Sequence, residues 1–243
     1  MTEIGFKSDK GIKRSNNEDA CFVMPKENIY IVADGVGGNN GGEIASRTAV
    51  SHIAEYVRNN PPTDIVNQEV LLQEYLLACL SEINQVIYDL ANKYPENAGM
   101  ATTIVIAVLA EAHAYIMNIG DSRAYIYRNE KIRQITEDHT YINTLVKSGI
   151  ITPEEARVHP KRNMITKALG GERDIAPDFF GLEIQEGDIL LICTDGLHGE
   201  LTDDTISAIL SEGLSMPETC GKLITKANRS GGRDNITVVC LKI

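Results

Sequence analysis

Residues 29–38 read Ile29-Tyr30-Ile31-Val32-Ala33-Asp34-Gly35-Val36-Gly37-Gly38. The first five are apolar, and their β-branched and aromatic content predicts a strand. The strand ends on an aspartate followed by glycines, and a helical pattern begins soon after. Glycines there let the backbone approach a ligand closely. The run is neither GxGxxG nor a Walker A loop, since no Gly-Lys-Ser/Thr follows, so a nucleotide site is a weak reading.

Beyond this stretch, Ala45, Ala49, Ile53 and Val57 recur at four-residue spacing over 43–58. Over 69–93, Leu72, Leu76, Leu80, Ile83, Ile87 and Leu90 step by fours and threes along one face. Asn59-Asn60-Pro61-Pro62 breaks the chain between them, which predicts two antiparallel helices. Strands are expected at 4–6, 103–109, 114–119, 124–128 and 131–135, the last two joined by a hairpin at Asn129-Glu130. The chain then turns polar over 141–178, with short helical hints and several Gly and Pro, and reads as a mobile insertion. Apolar runs at 189–193 and 236–243 bracket amphipathic helices at 203–211 and 217–228. One domain over 1–243 is expected, an α+β sandwich with antiparallel sheets inside.

Charge and composition exclude several functions. Thirty-four acidic against 23 basic residues leave a formal charge of -11. That disfavours nucleic-acid binding, which needs basic surface to displace counterions, and adhesion to anionic lipid. Cys21, Cys79, Cys193, Cys220 and Cys240 are odd in number with no CxxC pair, which reads as reduced thiols rather than disulfides or a zinc site. The polar start of the chain does not read as a signal peptide. The longest apolar run, 101–110, is far short of the ~20 residues of a membrane span. A soluble, cytoplasmic protein is expected.

The informative pattern is where certain acids fall. Asp34 closes one strand and Gly35 follows. Gly120 precedes Asp121 at the end of another. Asp195 closes 189–194 ahead of Gly196, and Asp234 opens the last strand after Gly231-Gly232-Arg233. In an antiparallel sandwich, three strand-end acids and one strand-start acid can share one edge. Any one of them reads equally as a turn residue, since Asp-Gly is a common turn pair. Four gathered carboxylates would repel one another unless cations neutralised them. Oxygen ligands favour hard ions such as Mg²⁺ or Mn²⁺, and the scattered His52, His113, His139, His159 and His198 offer no zinc spacing. Arg14, in a loop four residues before Glu18-Asp19, is either solvated surface or a phosphate clamp.

Seven motifs then line up in order. They are Arg14-Ser15-Asn16-Asn17-Glu18-Asp19, Asp34-Gly35-Val36-Gly37-Gly38, Gly99-Met100-Ala101-Thr102-Thr103, Gly120-Asp121-Ser122-Arg123, Asp138-His139-Thr140, Asp195-Gly196-Leu197 and Gly232-Arg233-Asp234-Asn235. Together they resemble the metal-dependent protein phosphatases, the PPM or type 2C serine/threonine phosphatases, over essentially the whole chain. The compact length resembles the bacterial members. The resemblance implies a four-layer αββα sandwich, two antiparallel sheets flanked by helix pairs, with a flap at about 141–178. It implies a binuclear Mn²⁺ or Mg²⁺ centre: Asp34 bridging both ions, the Gly35 carbonyl on one, and Asp195 and Asp234 on the other. Asp121, with Asp195, would serve a weaker third ion. Arg14 would hold the substrate phosphate, and Glu18 and Asp19 would orient metal-bound waters.

The implied reaction is hydrolysis of phosphoserine and phosphothreonine by a metal-bridging hydroxide. Phosphoproteins would be the partners, a cognate serine/threonine kinase among them, and the enzyme would act as a monomer. Val36 stands where many eukaryotic members carry a histidine proposed as general acid. Asn39 supplies no acidic proton either, which leaves metal-bound water as the donor. Ala101 replaces the commoner glycine before the two threonines. His139 reads either as a proton-handling group or as a structural loop residue. Two other readings stay open: a catalytically silent phosphoprotein-binding module, and a phosphatase dedicated to one small regulatory factor.

Overall fold

A computed structural model describes residues 2–38 and 41–243. Its strands form two sheets, antiparallel at every pairing. One sheet runs β1 (Glu3–Asp9), β11 (Ile236–Lys242), β10 (Ile189–Cys193), β7 (Arg123–Arg128), β8 (Lys131–Gln134). The other runs β2 (Asp19–Met24), β3 (Ile29–Val36), β5 (Ile104–Leu109), β6 (His113–Ile119), β9 (Asp178–Glu183), with the short β4 (Ala101–Thr102) pairing to β3.

Three cores define four layers. Helices α1 (Gly41–Asn59) and α2 (Glu69–Lys93) pack Ala49, Ile53, Leu76 and Leu80 onto Ile29, Ile31, Ile104 and Ile106 of the second sheet. Between the sheets lie Tyr30, Val32, Val105, Ile116, Leu190, Ile192 and Val239. On the far face, α6 (Asp203–Leu210) and α7 (Met216–Ser230) cover Leu191, Cys193, Val238 and Cys240. Successive residues of β3 thus face opposite cores. A central strand buried on both faces needs no polar alternation, which is why 29–33 and 104–109 read as continuous apolar runs.

The structure departs from the sequence-based expectations at several elements. β2 and β9 were not expected. The strand expected over 103–109 begins one residue later, at Ile104, and Ala101–Thr102 form a separate short strand before it. Residues 141–177 carry α3 (Tyr141–Lys147) and α4 (Pro153–Val158), and their connections return to the body through the Thr140–Ile165 and Thr102–Leu169 bridges. The last residue of the expected insertion, Asp178, already belongs to β9. Among the described residues, no helix is long and apolar enough to cross a membrane.

Candidate active site

The ends of β3, β6 and β10 and the start of β11 open onto one cleft of about 280 Å³. Its walls include Arg14, Glu18, Asp34, Gly35, Asp121, Asp195 and Asp234. Of the metal, phosphate and water-orienting residues that the sequence pointed to, all except Asp19 therefore border the same space, although Asp34 belongs to one sheet and Asp195 and Asp234 to segments flanking strands of the other. His139 lines no part of it. A second cleft, near Lys26 and Pro61, has about 250 Å³ and a single carboxylate, Glu27, in its wall.

Local bonding aims these side chains. The Asp34 amide donates to Thr103 Oγ1 at 3.0 Å, and its carbonyl accepts from Thr102 Oγ1 and the Thr103 amide, both at 2.9 Å. With the backbone so engaged, the carboxylate is left for the cleft. Gly35 and Gly42 pass so closely that a Cβ on Gly35 would stand 2.0 Å from the Gly42 carbonyl oxygen. Only glycine allows that approach of β3 to the start of α1. Thr103 Oγ1 also meets Ser122 Oγ at 2.7 Å, tying β3 to the turn that carries Asp121.

On the other sheet, Asn235 locks the loop bearing Arg14 and Glu18. Its Oδ1 accepts from the Glu18 amide at 2.8 Å, and its Nδ2 donates to the carbonyls of Lys10 and Asn16. Arg14 Nη2 donates to Asp234 Oδ2 at 2.8 Å, and that pair is partly open to solvent. Asp19 lies beneath the cleft: it faces Asp34 across the β2–β3 ladder and accepts from Thr194 Oγ1 at 2.8 Å.

The electrostatics are those of acids forced together. Burial, then the neighbouring carboxylates of Asp19, Asp195, Asp121 and Asp234, raises Asp34 well above the usual range. Burial and Asp195 push Asp121 up to about 8. Burial and Asp234 push Asp195 up to about 6, with a hydrogen bond to Asp34 partly offsetting them. Asp19 rises to about 7, again chiefly by burial, against hydrogen bonds from Thr237 and Thr194. Asp19 Oδ1 and Asp195 Oδ1 are buried without any hydrogen-bond partner. Such orphaned anionic oxygens are costly unless a proton or a cation satisfies them.

A hard divalent cation fits this donor set, which is entirely oxygen. Among the described residues, no three of His, Cys, Asp and Glu stand together as a ready side-chain cage. An ion here would draw part of its shell from backbone carbonyl and water, as Mg²⁺ commonly does.

Sequence reasoning did not single out Thr103, Ser122 or Asn235 as site-builders, although all three fall inside the quoted motifs. Asn163 and Ile165, from the 141–177 segment, also border the cleft, and nothing in the sequence pointed to them. Val36 borders it too and offers no proton. Asn39 lies outside the described residues.

A two-sheet sandwich with an acidic cleft at one end defines a class, and related chains identify it. The family described as Protein phosphatase 2C matches residues 11–227, so the chain belongs to that family. The serine/threonine phosphatase stp of Listeria innocua is 36% identical over 240 residues, covering 98% of this chain and 94% of the relative. Among solved structures, Stp1 of Staphylococcus aureus superposes with a TM-score of 0.93 at 33% identity, covering 100% of this chain and 95% of the other. The catalytic domain of PstP, solved with two manganese ions, superposes with a TM-score of 0.86 at 34% identity over 99% of this chain and 97% of that one.

Proposed function

We propose that this chain is a metal-dependent protein serine/threonine phosphatase that removes phosphate from phosphoserine and phosphothreonine of bacterial phosphoproteins. The observation that carries the reading is the cleft itself, where buried and half-buried carboxylates from both sheets converge, Asp195 and the adjoining Asp19 each keep an unpartnered oxygen, and an exposed arginine stands in the wall. The names of the relatives, and the two manganese ions of the PstP structure, support it.

Asp34, the Gly35 carbonyl, Asp195 and Asp234 would hold two core ions, Mn²⁺ or Mg²⁺, and Asp121 with Asp195 a weaker third. When bound, such ions neutralise the carboxylates, polarise the phosphoryl oxygens and activate water for in-line attack. The chain's own residues do the rest. Arg14 spends one donor on Asp234, leaving the remainder of its guanidinium fork for a phosphate. Its contacts orient the phosphorus, and burial at the base of the cleft lowers the local dielectric in which those charges act. Glu18 and Asp19 would accept hydrogen bonds from ordered water. Val36 moves no proton, so the departing serine or threonine oxygen takes its proton from the solvent within the cleft. Residues 1–243 would make one catalytic domain, with about 141–178 as a flap beside the cleft. The enzyme would act as a cytoplasmic monomer, opposing a serine/threonine kinase.

Turnover of a phosphothreonine peptide should require added Mn²⁺ or Mg²⁺ and vanish in EDTA, and Asp195→Asn should cut it by several orders of magnitude. Equal turnover in metal-free, EDTA-treated buffer would sink the reading.

A further inference from the structure

Two histidines that line no part of the cleft converge on the turn that carries Asp121. Gly120 sits in that turn at φ +102, and a Cβ there would meet Thr103 Cγ2 at 2.5 Å, so the turn has one tight backbone course. From one side, the His139 amide donates to the Gly120 carbonyl at 3.0 Å, and His139 Nδ1 accepts from the Gly120 amide, also at 3.0 Å. From the other side, His198 Nε2 reaches the Asp121 carbonyl oxygen at 3.0 Å.

Hydrogen-bond chemistry fixes both tautomers. A carbonyl oxygen can only accept, so the ring proton of His198 is on Nε2. An amide can only donate, so His139 Nδ1 is bare and the ring proton is on Nε2, which faces Asp178 Oδ2 at 3.3 Å. Lys167 Nζ stands equally far from Nε2, and that contact between two donors is not a hydrogen bond. Burial keeps the His198 ring neutral, pushed down to about 3.

His198 sits three residues after Asp195, in the short helix α5 (Asp195–His198). One side chain therefore ties the segment that starts with Asp195, at the end of β10, to the main chain of Asp121, at the turn from β6 to β7. We propose that His198 is a positioning residue that fixes Asp121 against Asp195 through this Nε2 hydrogen bond, with His139 holding Gly120 opposite. The inference rests on the proposed metal chemistry, in which these two acids share the weaker ion. A histidine buried for packing alone would be replaceable by an apolar side chain of similar size at little cost to the site. A donor that sets the spacing of two ligands is replaceable only by another donor.

The test compares His198→Leu, which keeps bulk and loses the donor, with His198→Gln, whose amide Nε2 can still donate. His198→Met stands in should the leucine variant fail to fold. Amide deuterium exchange in the metal-free proteins reads the clamp without any ion. Exchange over 120–123 should quicken about fivefold in His198→Leu, the effect of one lost hydrogen bond, stay near wild type in His198→Gln, and be unchanged in α1 and α2. Calorimetric titration with Mn²⁺ should then show the weaker site losing about fivefold or more in affinity in His198→Leu, with the tight sites unmoved and the loss largely restored in His198→Gln. Unchanged exchange over 120–123 would overturn the inference, as would equal impairment of both variants or equal weakening of every metal site. If the wild-type protein took up no Mn²⁺, the metal reading would fall, and the exchange comparison would still decide the clamp.

Discussion

At Arg14 the proposed phosphate contact and the stability of the fold can be tested apart. Its pair with Asp234 is partly solvent-exposed, side-chain exposures being 46% and 31%, and such pairs contribute about 0–1 kcal/mol to stability. Arg14→Ala should therefore melt almost like the parent. Loss of a charge-assisted contact to phosphate should cost roughly 1.5–3 kcal/mol in kcat/KM, about a ten- to hundredfold drop, much of it in KM. Arg14→Lys should recover only part, because an ammonium keeps the charge and loses the fork. Steady-state kinetics on a phosphothreonine peptide at saturating Mn²⁺ decide it: unchanged kcat/KM in Arg14→Ala takes Arg14 out of the site. Asp121→Ala, in contrast, should lower turnover while the core ions remain bound, and a crystal soaked in Mn²⁺ with the core pair missing would contradict that division of roles. At this scale the sequence made the acids legible, since each stands beside a glycine or a glycine-rich turn at the end of an apolar run. Thr103 and Asn235 were not legible as site-builders. Their contribution is a set of bonds to Asp34, Glu18, Lys10 and Asn16, and those partners become neighbours only when the strands are paired.

At the scale of elements, what the sequence showed depended on how completely each element is buried. The central strands β5 and β10 are buried at every position and announce themselves as unbroken apolar runs. β2 and β9 lie at the edge of their sheet and are mostly half-buried, and β9 carries Gly181, a weak strand former, in its middle. Pairing with β3 and β6 makes them strands, and local propensity does not report that. Helix α2 is the opposite case, for its apolar spacing names the buried face directly. Leu76 is fully buried in that face, whereas Val70, on the same helix, is 67% exposed. Leu76→Ala should cost about 2–5 kcal/mol through lost burial and the cavity left behind. Val70→Ala should stay within about 0.5 kcal/mol of the parent. Urea unfolding of the two variants checks the assignment, and similar losses in both would mean that α2 packs by another face.

The molecule as a whole folds around a charge problem that it does not solve with its own residues. Asp19, Asp34, Asp121 and Asp195 all have folded pKa values above the unfolded value of 3.8, at about 7, well above 3.8, about 8 and about 6. A carboxyl shifted upward stabilises the fold fully below its unfolded pKa and loses that contribution as pH rises through its folded pKa. The buried histidines act in the opposite sense. His139 and His198 are shifted downward, so their penalty grows only as pH falls below about 6.5. Between pH 7 and 8.5 the histidines are essentially neutral in both states, and the acids carry most of the change. The thiols of Cys21, Cys79, Cys193 and Cys240, all raised in the fold above their ordinary value, add a smaller loss in the same direction. The metal-free protein should therefore lose about 1–2 kcal/mol over that interval, since each unit of pKa shift corresponds to about 1.4 kcal/mol. That loss would lower its Tm by several degrees. Saturating Mn²⁺ should raise the Tm at both pH values and flatten the difference, because a cation takes the place of the protons that the acids would otherwise retain. Asp121→Asn, which removes one of the crowded charges, should flatten the slope in EDTA as well. Scanning calorimetry at pH 7 and 8.5, with EDTA or with Mn²⁺, makes the measurement. A metal-free protein that melts identically at the two pH values would mean that the four acids are not held in one another's field, and that the cleft has no electrostatic need of cations.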